Sequence, residues 1–550
     1  METLAMDIEA MPRTPLEPEH LEAIRGISEE RRFEAGDDVI VPGQPMDEFI
    51  LVEEGELEVV DALTGERSMP YTLTAGQYMG EIAFLNGGTW ATPFRAASET
   101  RVLVAPRRAM LDLMARVPEM SDIIVQVYAG RRRRILEAGK SALTLVGADA
   151  DRELRVLESF AARNRIPVTK LELGSAEADG ALRSVGLPTD EPAALFSGQV
   201  LEDRSPRAVA RLLGLDLSLQ NEETFDTVIV GGGPAGIAAA VYAGAEGLSA
   251  LVIENEVIGG QAGSSSRIEN YMGFPTGISG GDLCWRGEIQ AMRLGTRFVM
   301  PRSVISIKPN VDTADTEDDE RGVWGLALDD GECIRARTVV IATGVQYRRL
   351  PIEGLEGYEG AGVYYAATDI EARFCANRDV VIVGGGNSAG QAVMFLARAA
   401  RHVHVLIRAD NLHETMSAYL SSRLEKDPDV TIHPYTEIDA LHGEDMLDAV
   451  TLRDNRSDET QRMDVGGVFI MIGAAPKTGW LDGVVKLNEK GFVPTGEAVG
   501  AASPYATSAP GIFAVGDVRL GSVKRVASGV GEGSVVISHV WNHLHGGLAP

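Results

Sequence analysis

A short apolar strand that runs into a glycine-rich turn is the feature that most constrains how this chain folds. Residues 227–236 carry it, with Gly231, Gly233 and Gly236 spaced as G-x-G-x-x-G before an alanine-rich predicted helix. The first glycine permits a tight turn, the second lets the backbone approach a diphosphate, and the third lets helix and strand pack closely. The helix N-terminus then offers free N–H groups to the anion. The pattern predicts a dinucleotide-binding fold.

An acidic residue at the end of the next strand supports this prediction. The strand is expected at 250–253, and Glu254 follows it about 20 residues after the first glycine, where an acid binds the ribose hydroxyls of adenosine. A lone G-x-G-x-x-G is weak support for a nucleotide site. With a strand before it, a helix after it and an acid at this distance, the motif is strong.

A second fingerprint lies further along the chain. Residues 379–389 place a strand before G-x-G-x-x-A, which begins at Gly384, and the next strand is expected at 403–407. Arg408 stands where the first fold has its acid, and a cation there fits a 2′-phosphate. We therefore expect FAD in the first fold and a nicotinamide dinucleotide in the second. NADPH is favoured over NADH, although Asp410 nearby leaves NADH open.

Two such folds in one chain predict a hydride relay from nicotinamide to flavin. In such a relay the cofactors carry the chemistry, and the protein supplies positioning and electrostatics. No acid–base triad is needed for this half-reaction.

Composition and charge exclude several classes of protein. The chain has 550 residues, 45% apolar and 24% charged, which is ordinary for a globular protein of several domains. Its 51 Lys and Arg against 80 Asp and Glu give a net charge of −29, which disfavours binding to nucleic acid or to an anionic membrane. No signal peptide or membrane span is predicted, so we expect a cytoplasmic protein.

The few cysteines and histidines limit other chemistries. Cys284, Cys333 and Cys375 are far apart in sequence, no C-x-x-C occurs, and three cysteines cannot build a disulfide framework. His539 and His543 lie on the terminal helix without an accompanying cluster of carboxylates or cysteines. No metal site is predicted.

The N-terminal part has the pattern of a small all-β unit. Residues 30–105 alternate apolar and polar at period two with regular glycines, which predicts a β-barrel or jelly roll. From Arg107 to about Lys140 the period becomes helical. The run Arg131 to Arg134 is expected to be a solvated or domain-bridging helix face.

A compact α/β unit is predicted for residues 141–217, and 218–223 reads as a linker. Later, the acidic stretch 312–321 reads as an exposed hairpin tip. The strands and helices expected in the compact unit are 143–146 (strand), 152–163 (helix), 168–173 (strand), 193–196 (strand) and 206–213 (helix).

Residues 224–550 resemble the low-molecular-weight thioredoxin reductase family, within the pyridine nucleotide-disulfide oxidoreductases. Beside the two fingerprints, the resemblance rests on the segments 259–261 (Gly-Gly-Gln), 268–275, 341–344 (Ile-Ala-Thr-Gly) and 511–517, which ends in Gly-Asp. It implies a homodimer. It also implies that the N-terminus of the last helix, from about Ala527, points at the flavin and stabilises its reduced, anionic form.

The fingerprints and the resemblance together give the expected cofactor residues. The FAD site would use Gly231, Gly233, Pro234, Ala235, Gly236, Glu254, Gly260, Gln261, Asn270, Thr343, Gly344, Gly516, Asp517, Arg525, Val526 and Ala527. The NADPH site would use Gly384, Gly386, Asn387, Ser388, Ala389 and Arg408.

The chain departs from this family at the redox-active dithiol. The family has a Tyr-Cys-Ala-Thr-Cys-Asp stretch, whereas residues 365–370 here carry Ala366 and Asp369 at the two cysteine positions. These are the candidate catalytic positions, with Asp369 able to touch the flavin or to solvate the loop. Without two adjacent thiols, electrons cannot reach thioredoxin through a dithiol. Cys375, six residues after Asp369, is interpreted as a packing residue.

The N-terminal barrel resembles a cyclic nucleotide-binding domain. Gly80, Glu81, Ile82 and Ala83 match the start of its phosphate-binding cassette, in which the glutamate holds a ribose hydroxyl. Trp90 stands at the place of the cassette's arginine, and a desolvated phosphate without its charge partner is unfavourable. Arg95 could substitute only in a rebuilt loop. The fold is therefore expected, while cyclic nucleotide binding and a purely structural role both stay open.

The predicted fold class is multidomain, with an N-terminal β-barrel or jelly roll with helices, a small thioredoxin-like α/β unit without cysteines, and two Rossmann-like α/β domains. The expected boundaries are 1–140, 141–217, 224–347 with 472–550 for FAD, and 348–471 for NAD(P)H.

Three hypotheses for function follow. The first is an FAD-containing NAD(P)H oxidoreductase whose acceptor is a ferredoxin- or flavodoxin-like protein, a small molecule or oxygen. The second is a cyclic-nucleotide or redox sensor with little turnover. The third is a thioredoxin-disulfide reductase that uses unusual thiols.

Overall fold

A computed structural model gives the architecture of most of the chain. The predicted hairpin tip at 312–321 and all of the predicted linker except Leu219 lie outside the described residues. The structure describes residues 16–61, 65–69, 71–90, 92–138, 143–164, 166–217, 219, 224–263, 268, 271–310, 322–359, 361–365, 367, 369–444 and 446–546.

The N-terminal part folds into two small antiparallel sheets, ordered β1-β6-β3 and β2-β5-β4. Phe49 of β3 is buried in ring contact with Phe84 of α2, which in turn contacts Tyr128 of α4, so the helices pack onto the strands that the alternating pattern predicts. The elements are α1 (Pro18–Arg25), β1 (Glu29–Phe33), β2 (Asp38–Ile40), β3 (Glu48–Glu54), β4 (Leu57–Val59), α2 (Ala83–Asn86), β5 (Phe94–Ala96), β6 (Thr100–Pro106), α3 (Arg107–Arg116) and α4 (Pro118–Ala138).

The helix predicted from Arg107 to about Lys140 is interrupted. α3 ends at Arg116 and α4 begins at Pro118. Val117 between them has φ −124° and ψ 81°, outside the helical region. A proline disfavours helical geometry at the residue before it and is well suited to begin a helix, so Pro118 explains the break.

The next unit has a four-stranded sheet, ordered β10-β9-β7-β8, with β7 parallel to β8 and the other pairs antiparallel. Asp151 begins α5 by accepting a hydrogen bond from the N–H of Leu154 at 2.9 Å. The predicted strands 143–146 and 193–196 and the helix 152–163 are confirmed. The elements are β7 (Leu143–Val146), α5 (Arg152–Arg163), β8 (Val168–Leu171), α6 (Ala176–Ser184), β9 (Ala193–Phe196), β10 (Gln199–Val200) and α7 (Pro206–Leu212).

A seven-stranded sheet follows, ordered β13-β12-β11-β16-β15-β14, with β27 beside the second half of β16. Its central strands β11 and β12 are parallel and buried on both faces, which suits the apolar runs in their sequence. Its elements are β11 (Thr224–Val230), α8 (Pro234–Ala245), β12 (Ala250–Ile253), α9 (Gly260–Gly263), α10 (Gly280–Arg293), β13 (Arg297–Val299), β14 (Val304–Asn310), β15 (Val323–Leu328) and β16 (Cys333–Ile341).

A second parallel sheet, ordered β18-β25-β19-β20-β21, is inserted between β16 and β27. The short antiparallel pair β17 and β26 joins the two sheets, and β22, β23 and β24 form a separate meander. The inserted elements are β17 (Gln346–Tyr347), α11 (Leu355–Tyr358), β18 (Val363–Tyr364), α12 (Asp369–Phe374), β19 (Asp379–Val383), α13 (Asn387–Leu396), β20 (His402–Ile407), α14 (Ala418–Leu424), β21 (Val430–Pro434), β22 (Thr436–Gly443), β23 (Leu447–Asp454), β24 (Thr460–Asp464), β25 (Gly467–Ile470) and β26 (Ala474–Ala475).

The chain then returns to the seven-stranded sheet through β27 (Ile512–Ala514) and ends in α15 (Val526–His545). α15 packs along α8, the helix that follows the first fingerprint. A Cβ on Gly533 would collide with the carbonyl oxygen of Ala235, so the two helices approach each other at a glycine. This contact fixes the last helix against the fingerprint turn.

A buried ion network joins the four-stranded unit to the seven-stranded sheet. The side chain of Asp216 is fully buried and binds the guanidinium of Arg302, which is 2% exposed. Arg207 and Arg211 also contact Asp216, at 3.1 and 3.0 Å. Two of these three arginines belong to the same unit as Asp216, and docking adds the third, the buried Arg302.

The helix crossing makes a first testable prediction. Gly533→Ala should lower the unfolding midpoint, because overpacking of a close contact costs about 1–3 kcal/mol. Gly531→Ala is the matched control: Gly531 is exposed and has nothing within 4 Å of its Cβ position, so alanine there should leave the midpoint unchanged or raise it. Thermal unfolding of both variants decides, and equal midpoints would contradict the contact.

Candidate functional site

The first fingerprint forms a turn that is packed against backbone at its first and third glycines and is open at its second. Gly231 has φ +110°, and a Cβ there would collide with the carbonyl of Ala342. A Cβ on Gly236 would collide with the carbonyl of Gly231. In contrast, nothing lies within 4 Å of the Cβ position of Gly233, which caps α8 just before Pro234. The second glycine therefore faces space in which a diphosphate fits.

Glu254 lies at the end of β12 beside this turn. Its carboxylate accepts hydrogen bonds from the N–H of Gly232 at 2.6 Å, of Asn255 at 2.9 Å and of Glu256 at 3.0 Å. Burial raises the pKa of Glu254, and the three amides lower it in turn. A carboxylate has about four acceptor positions, so capacity for a ribose hydroxyl remains.

Further predicted FAD residues gather around the same turn, with one exception. Gln261 donates its side-chain amide to the carbonyl of Val345, which fixes α9 beside the end of β16. The hydroxyl of Thr343 is buried and finds no hydrogen-bond partner within the described ranges. Gly260 and Gly344 have φ +51° and +60°. Asn270 lies outside the described residues.

The segment before α15 forms a second tight turn next to the fingerprint. Gly516 has φ +73°, and its N–H donates to the carboxylate of Glu532 at 2.7 Å. Arg519 also binds Glu532, and burial raises the pKa of Asp517 while Lys524 lowers it. α15 begins at Val526, so the helix predicted from about Ala527 is confirmed. Arg525 stands at its N-cap.

Sequence reasoning missed Glu532. Its side chain is only 11% exposed, and it holds the turn in which the predicted FAD residues Gly516 and Asp517 lie. The signal was present as a single carboxylate in an otherwise apolar and glycine-rich stretch of helix. Such a residue is rarely buried unless it is paired.

The second fingerprint repeats the first geometry on the inserted sheet. Gly384 has φ +141°, and a Cβ there would collide with the carbonyl of Met471, whereas Gly386 faces open space. Asn387 and Ser388 begin α13, and Ala389 is buried beneath them. The side chain of Asn387 accepts a hydrogen bond from the N–H of Ser417 at 2.8 Å.

Arg408 follows β20 and is 82% exposed. Its Nε lies 4.0 Å from a carboxylate oxygen of Glu437, which also lies 3.9 Å from Arg453. This loose pairing leaves the guanidinium able to reach a ligand. The predicted cation is therefore at the surface of the second fingerprint, with one acid beside it.

The region of the absent dithiol is described only in part. Ala366 lies outside the described residues, and Asp369 begins α12. Cys375, at the end of that helix, is fully buried and donates its thiol to the carbonyl of Gly466 at 3.5 Å. Burial raises the pKa of Cys375 to about 12. A thiol in this state is a packing group, as predicted, and a poor nucleophile.

The barrel differs from a phosphate-binding cassette at its charged residues. Trp90 is 3% exposed and packs edge-on against Phe94. Arg95 donates to Glu58 at 2.6 Å, so its guanidinium is paired with a carboxylate in a partly buried ion pair. Gly80 to Ala83 lead into α2 as the motif predicts, and Gly80 has φ +124°.

The prediction of a solvated or bridging face was wrong for Arg131. Its guanidinium donates to the carbonyl of Gly80 at 3.1 Å and lies 5.4 Å from the ring centre of Tyr78. Burial lowers the pKa of Arg131. A run of arginines gives no sequence signal that Arg131 turns inward to the barrel.

Comparisons with known families match two separate parts of the chain. Residues 225–533 match the family model described as pyridine nucleotide-disulphide oxidoreductase, and residues 30–117 match the cyclic nucleotide-binding domain. No helix among the described residues is long and apolar enough to cross a bilayer.

Individual relatives align with the C-terminal part. The chain is 33% identical over 310 residues to a thioredoxin reductase of Streptomyces clavuligerus, covering 56% of this chain and 90% of that protein. It is 31% identical over 317 residues to a "34.2 kDa protein in rubredoxin operon" of Clostridium pasteurianum, covering 58% and 96%. The crystal structure of Lactococcus lactis thioredoxin reductase is similar with a TM-score of 0.51 and 27% identity, covering 58% and 99%.

The buried acid at the first fingerprint makes the second testable prediction. Glu254→Gln should weaken FAD binding by about 10- to 100-fold, because a hydrogen bond to a charged group contributes roughly 1.5–3 kcal/mol. Titration of the apoprotein with FAD, followed by flavin fluorescence, measures the change. Glu256→Gln, a substitution of an exposed acid two residues on, is the control and should bind FAD as the wild type does. Equal affinities for the two variants would remove Glu254 from the site.

Proposed function

The chain belongs to the pyridine nucleotide-disulphide oxidoreductase family, and we propose that it oxidises NADPH with FAD and passes the electrons on without a C-x-x-C dithiol. We assign FAD to 224–347 with 472–550 and NADPH to 348–471. NADH is the alternative to NADPH, because it would bind to the second fingerprint without needing Arg408. The observation that carries the proposal is a pair of dinucleotide turns in a chain whose dithiol positions hold Ala366 and Asp369.

The residues around the first turn fit FAD. Gly233 faces open space, the hydroxyl of Thr343 is buried without a partner among the described residues, and Glu254 keeps acceptor capacity. Bound FAD supplies the acceptor for a hydride from nicotinamide, a reaction that no side chain supplies. The chain holds the diphosphate at the N-terminus of α8 and the ribose at Glu254. The N-terminus of α15 offers a positive potential to a reduced flavin.

The route of the electrons after the flavin follows from the thiols. Cys284 and Cys375 are buried, Cys333 is exposed, and the three form no disulfide. A relay thiol must reach the flavin as a thiolate, and the raised pKa of Cys375 opposes this. We therefore propose direct transfer from flavin to a small redox protein, a small molecule or oxygen.

Among these acceptors, a small acidic redox protein has the most support. Next to Asp517 the surface carries Leu520 and Val523, which are 42% and 57% exposed, and the cations Lys524 and Arg525. Basic and apolar side chains together favour an acidic partner, whereas the whole chain carries −29 charges. The relative from Clostridium pasteurianum is named as a protein in a rubredoxin operon, and rubredoxin agrees with this class of partner.

The N-terminal barrel is the part of the chain that would regulate the oxidoreductase. Its match to the cyclic nucleotide-binding domain favours a cyclic nucleotide as ligand, but Trp90 and the pairing of Arg95 with Glu58 oppose tight binding of a phosphate. We propose that the barrel acts mainly through its contacts with the flavoprotein part. We also propose that the protein forms a homodimer, as its resemblance to the reductase family implies.

Anaerobic mixing with NADPH tests the oxidoreductase proposal. The flavin absorbance of the purified protein should bleach within seconds, and Cys375→Ser should bleach at the same rate because its thiol takes no part. Turnover should be found with a ferredoxin, a quinone or oxygen and should be absent with thioredoxin. Thioredoxin turnover that disappears in Cys375→Ser would establish a thiol relay. No bleaching by NADPH or NADH would favour a sensor.

A gain-of-function variant sharpens this test. The double substitution Ala366→Cys and Asp369→Cys restores C-x-x-C at the family's positions and should create reduction of an aromatic disulfide reagent. The matched control Ala366→Ser and Asp369→Ser should not.

Arg408 makes the prediction for coenzyme choice. Arg408→Ala should raise KM for NADPH roughly fivefold, the effect of an exposed charge pair of about 1 kcal/mol, and leave KM for NADH unchanged. Glu437→Gln removes the competing acid and should lower KM for NADPH. Steady-state kinetics with both coenzymes measures this, and an equal rise for NADH would contradict the assignment.

A further inference from the structure

The short edge strand β13 and the residues after it hold the backbone of Glu254. The N–H of Glu254 donates to the carbonyl of Val299 at 3.0 Å, and its carbonyl accepts from the N–H of Arg302 at 2.8 Å. In the sheet, Ile253 is the register partner of Val299. The position of the buried carboxylate therefore depends on where residues 298–302 lie.

The barrel reaches this strand through one side chain. Asn86, the last residue of α2, is 3% exposed. Its amide nitrogen donates to the carbonyl of Phe298 at 3.0 Å, and its amide oxygen accepts from the N–H of Phe298 at 2.9 Å. The amide thus pairs with both backbone groups of Phe298, as a neighbouring strand would do. A buried edge needs such partners, because an unpaired backbone group is destabilising.

α2 is itself fixed by partly buried hydrogen bonds. The guanidinium of Arg107, at the start of α3, donates to the carbonyls of Phe84 at 2.6 Å and Leu85 at 2.7 Å. α2 directly follows Gly80 and Glu81, the start of the cassette that resembles a nucleotide-binding loop. A movement of that loop would therefore reach Asn86.

The four-stranded unit holds the same segment from another side. The N–H of Met300 donates to the carbonyl of Leu215 at 3.0 Å, and Arg302 donates to the carbonyl of Leu217 at 2.8 Å and binds Asp216. Both N-terminal units thus converge on residues 298–302, directly behind Glu254.

We infer that Asn86 is a positioning residue for the FAD site, and that it couples the barrel to Glu254 through β13. This inference rests on the proposed binding of FAD at Glu254. The coupling is reciprocal, as any linkage between two binding equilibria must be. FAD should therefore slow hydrogen exchange in α2, although the two are separated in sequence by the whole four-stranded unit.

The experiment compares FAD binding and hydrogen exchange in full-length variants. Asn86→Ala should weaken FAD binding about tenfold, a usual size for coupling between sites. Asn86→Asp keeps an acceptor for the N–H of Phe298 but places a buried carboxylate oxygen against its carbonyl, so a loss at least as large as that of Asn86→Ala is expected. Thr89→Val is the control. Its hydroxyl donates to the carbonyl of Leu212 at 2.6 Å, in the four-stranded unit and not in β13, so FAD affinity should stay as in the wild type.

A double-mutant cycle separates positioning from general destabilisation. If Asn86 acts through Glu254, Asn86→Ala combined with Glu254→Gln should lose less affinity for FAD than the sum of the single losses. Additive losses would overturn the relay. Hydrogen exchange gives an independent reading: FAD should protect 83–87 in the wild type and not in Asn86→Ala, while 231–236 stays protected in both. Protection of 83–87 that persists in Asn86→Ala would also overturn it.

The outcomes also distinguish this inference from the proposed function. A wild-type protein that takes up no FAD would refute the proposed function. In that case exchange at 297–303 without FAD still tests the contact, because Asn86→Ala should speed it and Thr89→Val should not. Equal exchange in the two variants would refute the contact itself.

Discussion

The buried carboxylate of Glu254 is the constraint on which the flavoprotein half of this structure depends. A buried charge is strongly unfavourable unless it is hydrogen-bonded, and here three backbone N–H groups provide the bonds. One of them comes from Gly232, so the fingerprint turn must bend back onto the end of β12. The other two require the chain to turn immediately after Glu254. The turn therefore places the N–H groups that stabilise the carboxylate, and the carboxylate in turn holds the turn in place.

Residues 298–302, behind Glu254, connect the barrel, the four-stranded unit and the seven-stranded sheet. Asp216 is fully buried and is surrounded by guanidinium groups from its own unit and from Arg302. Removing one partner from a buried ion network leaves uncompensated charge, which is far more destabilising than losing an exposed pair. Undocking of the four-stranded unit would separate Arg302 from Asp216 and leave the carboxylate with Arg207 and Arg211 alone. It would also break the hydrogen bonds of Met300 and Arg302, in the segment behind Glu254, to the carbonyls of Leu215 and Leu217.

Local sequence patterns made much of this architecture predictable, whereas the contacts between distant parts of the chain could not be predicted from them. The two glycine turns and Glu254 follow from motifs within about 30 residues, in which spacing sets the geometry, and the start of α15 follows from the family resemblance. Asn86 pairs with a residue more than 200 positions away, and nothing in its neighbourhood marks it. Arg131 was assigned to a helix face because a run of arginines has no period that shows which one turns inward. The break at Val117 is different, because a local signal, Pro118, marks it although the hydrophobic spacing continues across it.

The loss of the dithiol changes what the flavin site must offer. A dithiol stores two electrons and carries them to a partner, so the flavin itself can stay covered. With Ala366 and Asp369 at those positions, the acceptor has to come within electron-transfer distance of the flavin. In the function proposed above, the surface beside α15 would receive the acceptor, because Lys524 and Arg525 add positive charge near the helix N-terminus. On a chain with a net charge of −29, these cations would favour the approach of an acidic carrier at this surface.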